Sequence, residues 1–349
     1  MVKEDGLYIA GPECFYPNGY DLWFSKRRLA EYKGIRVYMP TSTNLELSSI
    51  DLRGNAHIIM DDLLKQAEKC SAIIANLESF RSTEPDGGTV FELGMMYAKG
   101  ARLYGYAPCI ESIARRDRSL WYGYRGERLD ELGNQFPYGE LPFSPNIAAT
   151  TRLVEGDFST TMGSLLEDLR QQRMAGSSFV RRVKLPPVDQ GAVFISSPER
   201  YSQNAKYIRI NLIERFKAIG LRAVFPDTFA PGDDCNRQAA LLWKRTQKKI
   251  LSCAYFLADL SDFRGYEPST DVAFETGYAF AMQKHMHAIM PDIRTMRQRI
   301  PNIDGLDGQG NIVENFDYPI NLMFSCSIPR IIEGTIAEAD RAFELSSSL

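Results

Sequence analysis

The feature that most constrains the fold of this chain is an internal repeat. The segment Ile73–Ala98, IIANLESFRSTEPDGGTVFELGMMYA, matches Phe256–Ala281, FLADLSDFRGYEPSTDVAFETGYAFA, without a gap. Two shorter pairs keep nearly the same separation: LYIAGPE pairs with VFISSPE, and KGIRVYMP pairs with IGLRAVFP. Self-similarity over so long a block is the signature of duplicated structural units. The sequence therefore predicts a tandem duplication.

The length of the chain agrees with a duplication. At 349 residues it exceeds one ordinary hydrophobic core and suits two domains. We predict a first domain over 1–176, a linker over 177–190 and a second domain over 191–349, because a double proline and mixed charge interrupt periodicity at the linker. Two long irregular segments, Pro108–Pro145 and Pro291–Pro319, are predicted to be binding loops or lids.

Short apolar runs alternate with helical patterns within each half. Such runs, separated by helices, indicate a parallel sheet covered on both faces. We predict two tandem flavodoxin-like or Rossmann-like three-layer αβα modules with parallel five-stranded sheets, and ligands at the carboxyl ends of the strands. In the first half the predicted strands and helices are Leu7–Ala10, Arg36–Met39, Ala72–Asn76 and Arg102–Tyr106, and Gly19–Tyr32, Gly54–Lys69, Thr89–Lys99 and Thr161–Arg173.

Composition disfavours several classes of function. The net charge of −3 argues against nucleic acid or an anionic membrane as a partner. No apolar run is long enough to span a bilayer and the first residues lack a signal peptide, so we expect a cytoplasmic protein. The six cysteines show no CxxC spacing, which is typical of a reduced compartment. The three histidines complete no zinc set, so neither a metal nor another cofactor is expected.

Glu92 is the leading candidate for chemistry. It follows Thr89, a predicted helix N-cap, at the capping-box position, so one interpretation is that it only caps its helix. The other interpretation uses the carboxylates predicted nearby, namely Asp86, Asp61 and Asp62. Several carboxylates in one cleft can divide into a nucleophile and a proton donor. That division suits cleavage of a glycosidic bond through a covalent intermediate.

Three segments resemble one known family. The run Ala75–Tyr106 closely resembles the signature segment of nucleoside 2-deoxyribosyltransferases. YIAGPECFYP (Tyr8–Pro17) is similar to the family's first strand and nucleoside-binding turn, and ENFDYPINLM (Glu314–Met323) to its C-terminal P-x-NLM segment. The resemblance covers most of the first half and, more loosely, the second.

The resemblance implies roles for individual residues. Glu92 would attack C1′ of a 2′-deoxynucleoside, and Tyr8 would position it. Asp86 and Asp62 would orient the sugar and assist protonation of the leaving base. Asn321 would complete the first half's site from the second half, as a neighbouring subunit does in the family; the alternative is that it only caps a turn. Further substrate-binding residues implied in the same way are Gly11, Pro12, Glu13, Phe15 and Gly88.

The second half keeps a glutamate equivalent to Glu92 but lacks the residues expected to assist it. Glu275 corresponds to Glu92, but Phe194, Arg245 and Ser269 stand where Tyr8, Asp62 and Asp86 are expected. We expect Arg245 to form an ion pair with Glu275. Asp271, one turn before Glu275, is a candidate substitute for the missing aspartate. The second half is predicted to be a pseudo-domain; the alternative is that it binds a phosphorylated nucleotide through Arg245.

Two further expectations concern single residues. Asn146 is the nearest match to Asn321 and is expected to face the second site. Arg81 and Arg264 are expected to form structural ion pairs with Glu84 and Glu267 in the loop, and the alternative is that they bind phosphate.

Three functions compete. The favoured reaction is retaining transfer of 2-deoxyribose between nucleobases through a glycosyl–Glu92 intermediate. The second is hydrolysis of a nucleoside or nucleotide N-glycosidic bond at the same site, and the third is a nucleotide-sensing module without catalysis.

The expected partners are small molecules, namely a nucleoside or nucleotide and a free nucleobase. The two halves are expected to form an intrachain pseudo-dimer, and a further homo-oligomer is open.

Overall fold

The computed structural model describes residues 6–39, 45–175, 185–229 and 234–344. The part 177–184 of the predicted linker lies outside these residues. The first half contains strands β1 to β7 at Gly6–Ala10, Arg36–Tyr38, Cys70–Asn76, Arg102–Ala107, Trp121–Tyr122, Arg128–Leu129 and Arg152–Glu155. Its helices α1 to α6 are Gly19–Tyr32, Leu52–Ala67, Gly87–Ala98, Ile113–Arg116, Pro145–Thr150 and Phe158–Met174, and a short 3-10 helix covers Pro12–Phe15.

The second half repeats this order. Its strands β8 to β14 are Asp189–Ser196, Arg222–Val224, Cys253–Asp259, His285–Met290, Asn302–Ile303, Leu306–Asp307 and Ile331–Glu333. Its helices α7 to α12 are Ala205–Ala218, Cys235–Ser252, Thr270–Ala281, Met296–Arg299, Leu322–Ser327 and Arg341–Glu344, with 3-10 helices at Pro198–Tyr201 and Ile336–Glu338.

Each half builds a parallel five-stranded sheet. The orders are β2-β1-β3-β4-β7 and β9-β8-β10-β11-β14, so the second sheet repeats the first strand for strand. All the pairings within these two sheets are parallel. The predicted tandem α/β modules are confirmed. This strand order is that of flavodoxin-like folds, which bind ligands at the carboxyl ends of the strands.

Two elements begin earlier in the structure than the sequence predicted. Helix α6 begins at Phe158, earlier than the predicted Thr161, because the Asp157 side chain accepts a hydrogen bond from Thr160 N at 2.8 Å. Strand β8 begins at Asp189, inside the predicted linker, where its start pairs with Cys253 of β10.

The two halves meet where α3 crosses α9. Two glycines allow the approach: a Cβ atom on Gly94 would lie 2.0 Å from the carbonyl oxygen of Phe274, and one on Gly277 would lie 2.0 Å from that of Phe91. Both phenylalanines are fully buried at the crossing. The two helices therefore pack backbone against backbone, and one continuous hydrophobic core joins the halves.

Each half also covers the other with its irregular segment. We call residues 108–145 the first lid and residues 291–319 the second lid. Gln135 N, on the first lid, donates to the carbonyl of Tyr201 at 2.6 Å, and Ile312 N, on the second lid, donates to that of Phe15 at 2.7 Å. Tyr201 and Phe15 are equivalent positions of the two copies. Each lid is thus attached to the turn after the first strand of the opposite copy.

The arginines of the repeated loop bind across the copies. Arg264 lies 2.8 Å from Glu84, and Arg81 lies 3.7 Å from Glu267 and 2.8 Å from Asp307 of the second lid. The arginines and glutamates form ion pairs as expected, but each pair joins opposite copies and does not lie within one loop.

The same two glutamates cap the helices at the crossing. Glu84 accepts from Thr270 N at 2.9 Å at the start of α9, and Glu267 accepts from Gly87 N at 3.3 Å at the start of α3. A carboxylate at a helix N-terminus satisfies free N–H groups and interacts favourably with the helix dipole. The α3 helix, which carries Glu92, therefore depends on a residue of the second copy for its first turn.

No helix within the described ranges is long and apolar enough to cross a membrane.

We predict that Gly94→Ala destabilises the protein by about 1–3 kcal/mol, because the new methyl group meets a backbone carbonyl that cannot rotate away. The matched control is Gly163→Ala on α6, where an added Cβ has no neighbour within 4 Å. Removing a helix-interior glycine there should stabilise the protein by about 0.5–1 kcal/mol. Urea unfolding measures both changes, and a Gly94→Ala variant as stable as the wild type would contradict the close crossing.

Candidate active site

A cavity of about 380 Å³ opens beside Glu92, between the first copy and the second lid. Its wall combines residues after β1, residues of α2 and α3, and residues of the second lid and α11. The residues that line it are Gly11, Cys14, Phe15, Ile59, Leu63, Asp86, Gly88, Thr89, Glu92, Arg297, Ile312, Val313, Glu314, Asn315, Phe316, Asn321, Leu322 and Met323. Both copies are therefore needed to form it.

Glu92 is buried and faces this cavity. The Tyr8 hydroxyl donates to Glu92 Oε1 at 2.5 Å. The interpretation of Glu92 as a cap residue is wrong, because α3 begins at Gly87 and its N-cap is Asp86, not Thr89. Asp86 Oδ2 accepts from Thr89 N at 2.7 Å and from the Thr89 hydroxyl at 2.6 Å. Glu92 thus lies in the second turn of the helix, free of any capping role.

Burial controls the ionisation of these carboxyl groups. It raises the pKa of Glu92 to about 8; the Tyr8 hydrogen bond lowers that pKa and the negative charge of Asp86 raises it further. Burial also raises the pKa of Asp86, although its hydrogen bonds from Thr89 oppose the shift. A carboxyl group whose pKa is near neutrality can change its protonation state during a reaction.

Asn321 enters the cavity from the second copy. Its Oδ1 accepts from Met323 N at 2.8 Å, so it caps α11, and its Nδ2 donates to Glu314 Oε1 at 3.4 Å. A Cβ atom on Gly88 would lie 2.9 Å from Asn321 Nδ2, so the amide packs against the start of α3. Asn321 therefore caps a turn and lines the cavity at the same time.

Three of the other predicted residues do not line the cavity. The Glu13 carboxylate turns inward, where it accepts from Asn76 at 2.9 Å and from Tyr106 at 3.2 Å, and Pro12 precedes it on the same 3-10 turn. Asp62 is half-buried on α2 and accepts a hydrogen bond from Gln66. Gly11, Phe15 and Gly88 line the cavity as expected.

The expectation for Asp62 is corrected by the rotation of α2. Ile59 and Leu63, four residues apart, face the cavity on one side of the helix. Asp62 is displaced from that stripe by one position, about 100° around the helix.

Glu314 is a residue of the cavity wall that no sequence motif singled out. It lines the cavity, and its Oε2 accepts from Leu322 N at 3.1 Å. Burial raises its pKa to about 8, with a further rise from Asp86. The available signal was its place at the start of the ENFDYPINLM segment, seven residues before Asn321.

The equivalent site of the second copy is filled by protein. Glu275 is fully buried, and both its oxygens accept from Arg200 at 2.8 Å. The Ser196 hydroxyl donates to it at 2.5 Å and Asn146 Nδ2 at 3.1 Å. The expectation that Asn146 faces the second site is confirmed.

The predicted ion pair between Arg245 and Glu275 is wrong. Arg245 is exposed on α8 and lies 3.7 Å from Asp227. The buried stripe of that helix runs through Trp243, Thr246 and Ile250, so Arg245 turns to solvent.

The true partner, Arg200, occupies the position equivalent to Cys14, which lines the first cavity. A large cation in place of a small thiol fills the second site and uses the lone pairs of Glu275. The sequence shows this difference in the equivalent triplets that follow the first strand of each copy, PEC (Pro12–Cys14) and PER (Pro198–Arg200).

Asp271 belongs to the same closed cluster. It accepts hydrogen bonds from the Tyr201 hydroxyl and, at 3.2 Å, from Asn146 N. Burial raises its pKa to about 6. Across the described part of the chain, no group of three His, Cys, Asp or Glu side chains is arranged to hold a metal ion.

Comparison with known proteins agrees with this architecture. A family model described as Nucleoside 2-deoxyribosyltransferase matches residues 7–135 and again residues 193–323. These matches cover well over half of the chain, which belongs to the nucleoside 2-deoxyribosyltransferase family as two tandem copies.

A solved structure described as a 2-desoxiribosyltransferase from Leishmania mexicana is similar at 26% identity, covering 47% of this chain and 98% of that chain with a TM-score of 0.36. The comparison with curated proteins gave no significant match.

We predict that Arg200→Met destabilises the protein by about 3–5 kcal/mol, because it leaves the buried charge of Glu275 without its cation. Adding Glu275→Gln should recover most of that loss, since the amide still bonds to Ser196 and Asn146. Urea unfolding of the single and double variants tests this coupling. A single variant of wild-type stability would show that Glu275 does not need Arg200.

Proposed function

We propose that the first copy transfers a 2-deoxyribosyl group between nucleobases by a retaining double displacement through an intermediate on Glu92. The observation that carries the proposal is the buried Glu92 carboxyl group at a cavity, hydrogen-bonded by Tyr8, with Asp86 and Asn321 in the same wall. The proposed domains are a catalytic domain over 1–176, a linker over 177–190 and a supporting domain over 191–349.

The first displacement forms an ester. Tyr8 holds Glu92 Oε1, so Oε2 attacks C1′ of the deoxynucleoside while the electron pair of the C1′–N bond passes to the departing base. A second base then attacks C1′ on the face that the first base left, and the carboxylate departs. Two inversions give net retention.

The walls of the cavity suit a nucleoside. Asp86 and the donor Nδ2 of Asn321 provide hydrogen-bonding groups for the sugar. Phe15, Ile59 and Phe316 provide apolar surface for a flat base. Apolar walls also restrict water, which favours transfer to a second base over hydrolysis.

The second copy acts as a scaffold in this proposal. It supplies Asn321 and the second lid, and it caps α3 through Glu267. Its own glutamate, Glu275, is held by Arg200 and is unavailable as a nucleophile.

We predict that a 2′-deoxynucleoside leaves a deoxyribosyl adduct on the peptide that contains Glu92, detected by mass spectrometry after acid quenching. Glu92→Gln should lower kcat by about 10³-fold or more, because it removes the attacking oxygen anion. The paired variant Arg200→Met, Glu275→Gln is the control and should keep the activity. Product analysis with and without a free acceptor base separates transfer from hydrolysis, and the absence of any adduct with every deoxynucleoside would refute the proposal.

We also predict that Asn321→Asp lowers activity by about 10²-fold with little loss of stability, since aspartate keeps the cap on Met323 N but removes the amide donor. Asn321→Ala should lose the same activity and, in addition, about 1 kcal/mol of stability. Asn146→Ala, at the second site, is the control and should keep full activity. Steady-state kinetics and urea unfolding measure both effects; full activity in Asn321→Asp would exclude a substrate contact.

A further inference from the structure

The reaction proposed above requires a proton for the leaving base, because a nucleobase anion is a poor leaving group. Asp62, which the resemblance linked to this step, does not line the cavity. Asp86 lines it, but its Oδ2 already accepts two hydrogen bonds from Thr89 as the N-cap of α3. The remaining carboxyl group in the wall is Glu314, on the second lid.

Building on the proposed function, we propose that Glu314 of the second copy is the acid that protonates the leaving base in the first copy's site.

The hydrogen bonds of Glu314 show which oxygen can carry the proton. Oε2 accepts from the backbone N–H of Leu322 at 3.1 Å, so it acts as the carbonyl oxygen of a protonated carboxyl group. Oε1 accepts only the longer hydrogen bond, from Asn321 Nδ2 at 3.4 Å, so we place the proton on Oε1, whose hydroxyl oxygen can still accept that bond. These two contacts hold the carboxyl group in the cavity wall, with Oε1 on the side of Asn321.

The surroundings raise the pKa of Glu314, so that this carboxyl group can hold a proton near neutral pH. Burial is the largest cause of its raised pKa of about 8, and the charge of Asp86 adds to it. The Leu322 N–H and the Arg81 guanidinium act in the opposite direction. The other titratable and charged groups that face Glu314 or share its cavity wall are Cys14, Glu92, Glu267, Arg297 and Cys326.

The repeat supplies an internal comparison. The lids align on Gln135 and Ile312, which make equivalent contacts to Tyr201 and Phe15, and in this alignment Pro137 of the first lid stands where Glu314 stands in the second. The second site therefore lacks this acid as well as an available nucleophile. Of these two equivalent lid positions, only the one beside Glu92 carries a carboxyl group.

The proton and electron balance is complete within this site. Glu92 Oε2 donates an electron pair to C1′, the C1′–N pair passes to the base, and the base takes the proton from Glu314 Oε1. The base leaves neutral and Glu314 becomes a carboxylate. When the acceptor base attacks C1′, its N–H proton returns to Glu314 and the ester electron pair returns to Glu92.

The test compares two donors in the full-length protein: a purine 2′-deoxynucleoside and its N7-methylated cation, whose base leaves without protonation. Glu314→Gln should lower the rate with the ordinary donor by about 10²–10⁴-fold and leave the methylated donor within about threefold of the wild type. Glu333→Gln, an exposed glutamate on β14, is the matched control and should change neither rate.

A pH profile of the wild type gives a second measurement that needs no variant. With the ordinary donor, kcat/KM should rise as Glu92 ionises and fall above about pH 8 as Glu314 loses its proton. With the methylated donor the fall should be absent.

Equal losses of rate with both donors would show that Glu314 only positions Asn321, and would overturn its role as the acid. Unchanged rates with both donors, or an alkaline fall that is the same for both, would overturn it too. If the wild type forms no adduct even with the methylated donor, the proposed function itself fails and this proposal fails with it. A normal adduct on Glu92 formed from the methylated donor in the Glu314→Gln variant shows that its site is folded.

Discussion

The close crossing of α3 and α9 is the contact on which the rest of the structure depends. Gly94 and Gly277 allow each helix to touch the backbone of the other, and any side chain there would separate them. Glu92 lies two residues before the first glycine and Glu275 two residues before the second. The crossing therefore fixes the two equivalent glutamates relative to each other and brings each within reach of the opposite lid.

The crossing also explains why neither copy forms a complete site. Glu267 caps the helix of Glu92, the second lid supplies Glu314 to its cavity, and the cap of α11 supplies Asn321. A buried helix N-terminus without an acceptor would leave N–H groups unsatisfied, at a cost of about 1–3 kcal/mol for each group. The fused second copy keeps this acceptor permanently next to α3, whereas a separate subunit would have to associate first.

The two copies share one frame, and individual substitutions make their equivalent sites different. Arg200 in place of Cys14 fills one cavity, and the other stays open. The closed site satisfies both oxygens of its buried glutamate with a cation, a hydroxyl and an amide, which stabilises the fold. In the open site Glu92 has the Tyr8 hydroxyl as a partner, and burial raises its pKa to about 8.

The sequence by itself determined the duplication and the two parallel sheets, and it indicated Glu92 and Asn321, which line one cavity, because repeats, apolar periodicity and motif spacing are properties of the linear chain. The sequence did not predict the direction of side chains where that direction depends on how a helix is rotated about its axis. Asp62 and Arg245 occupy equivalent positions on α2 and α8, and both turn away from the sites because they lie one position off the packed stripe. Only the tertiary structure brought together Arg200 with Glu275 and Glu314 with Asn321. The first contact joins residues 75 positions apart in the chain, and the second places a carboxyl group of the second lid beside the cap of α11. Both depend on how the second copy folds in three dimensions, which no local pattern encodes.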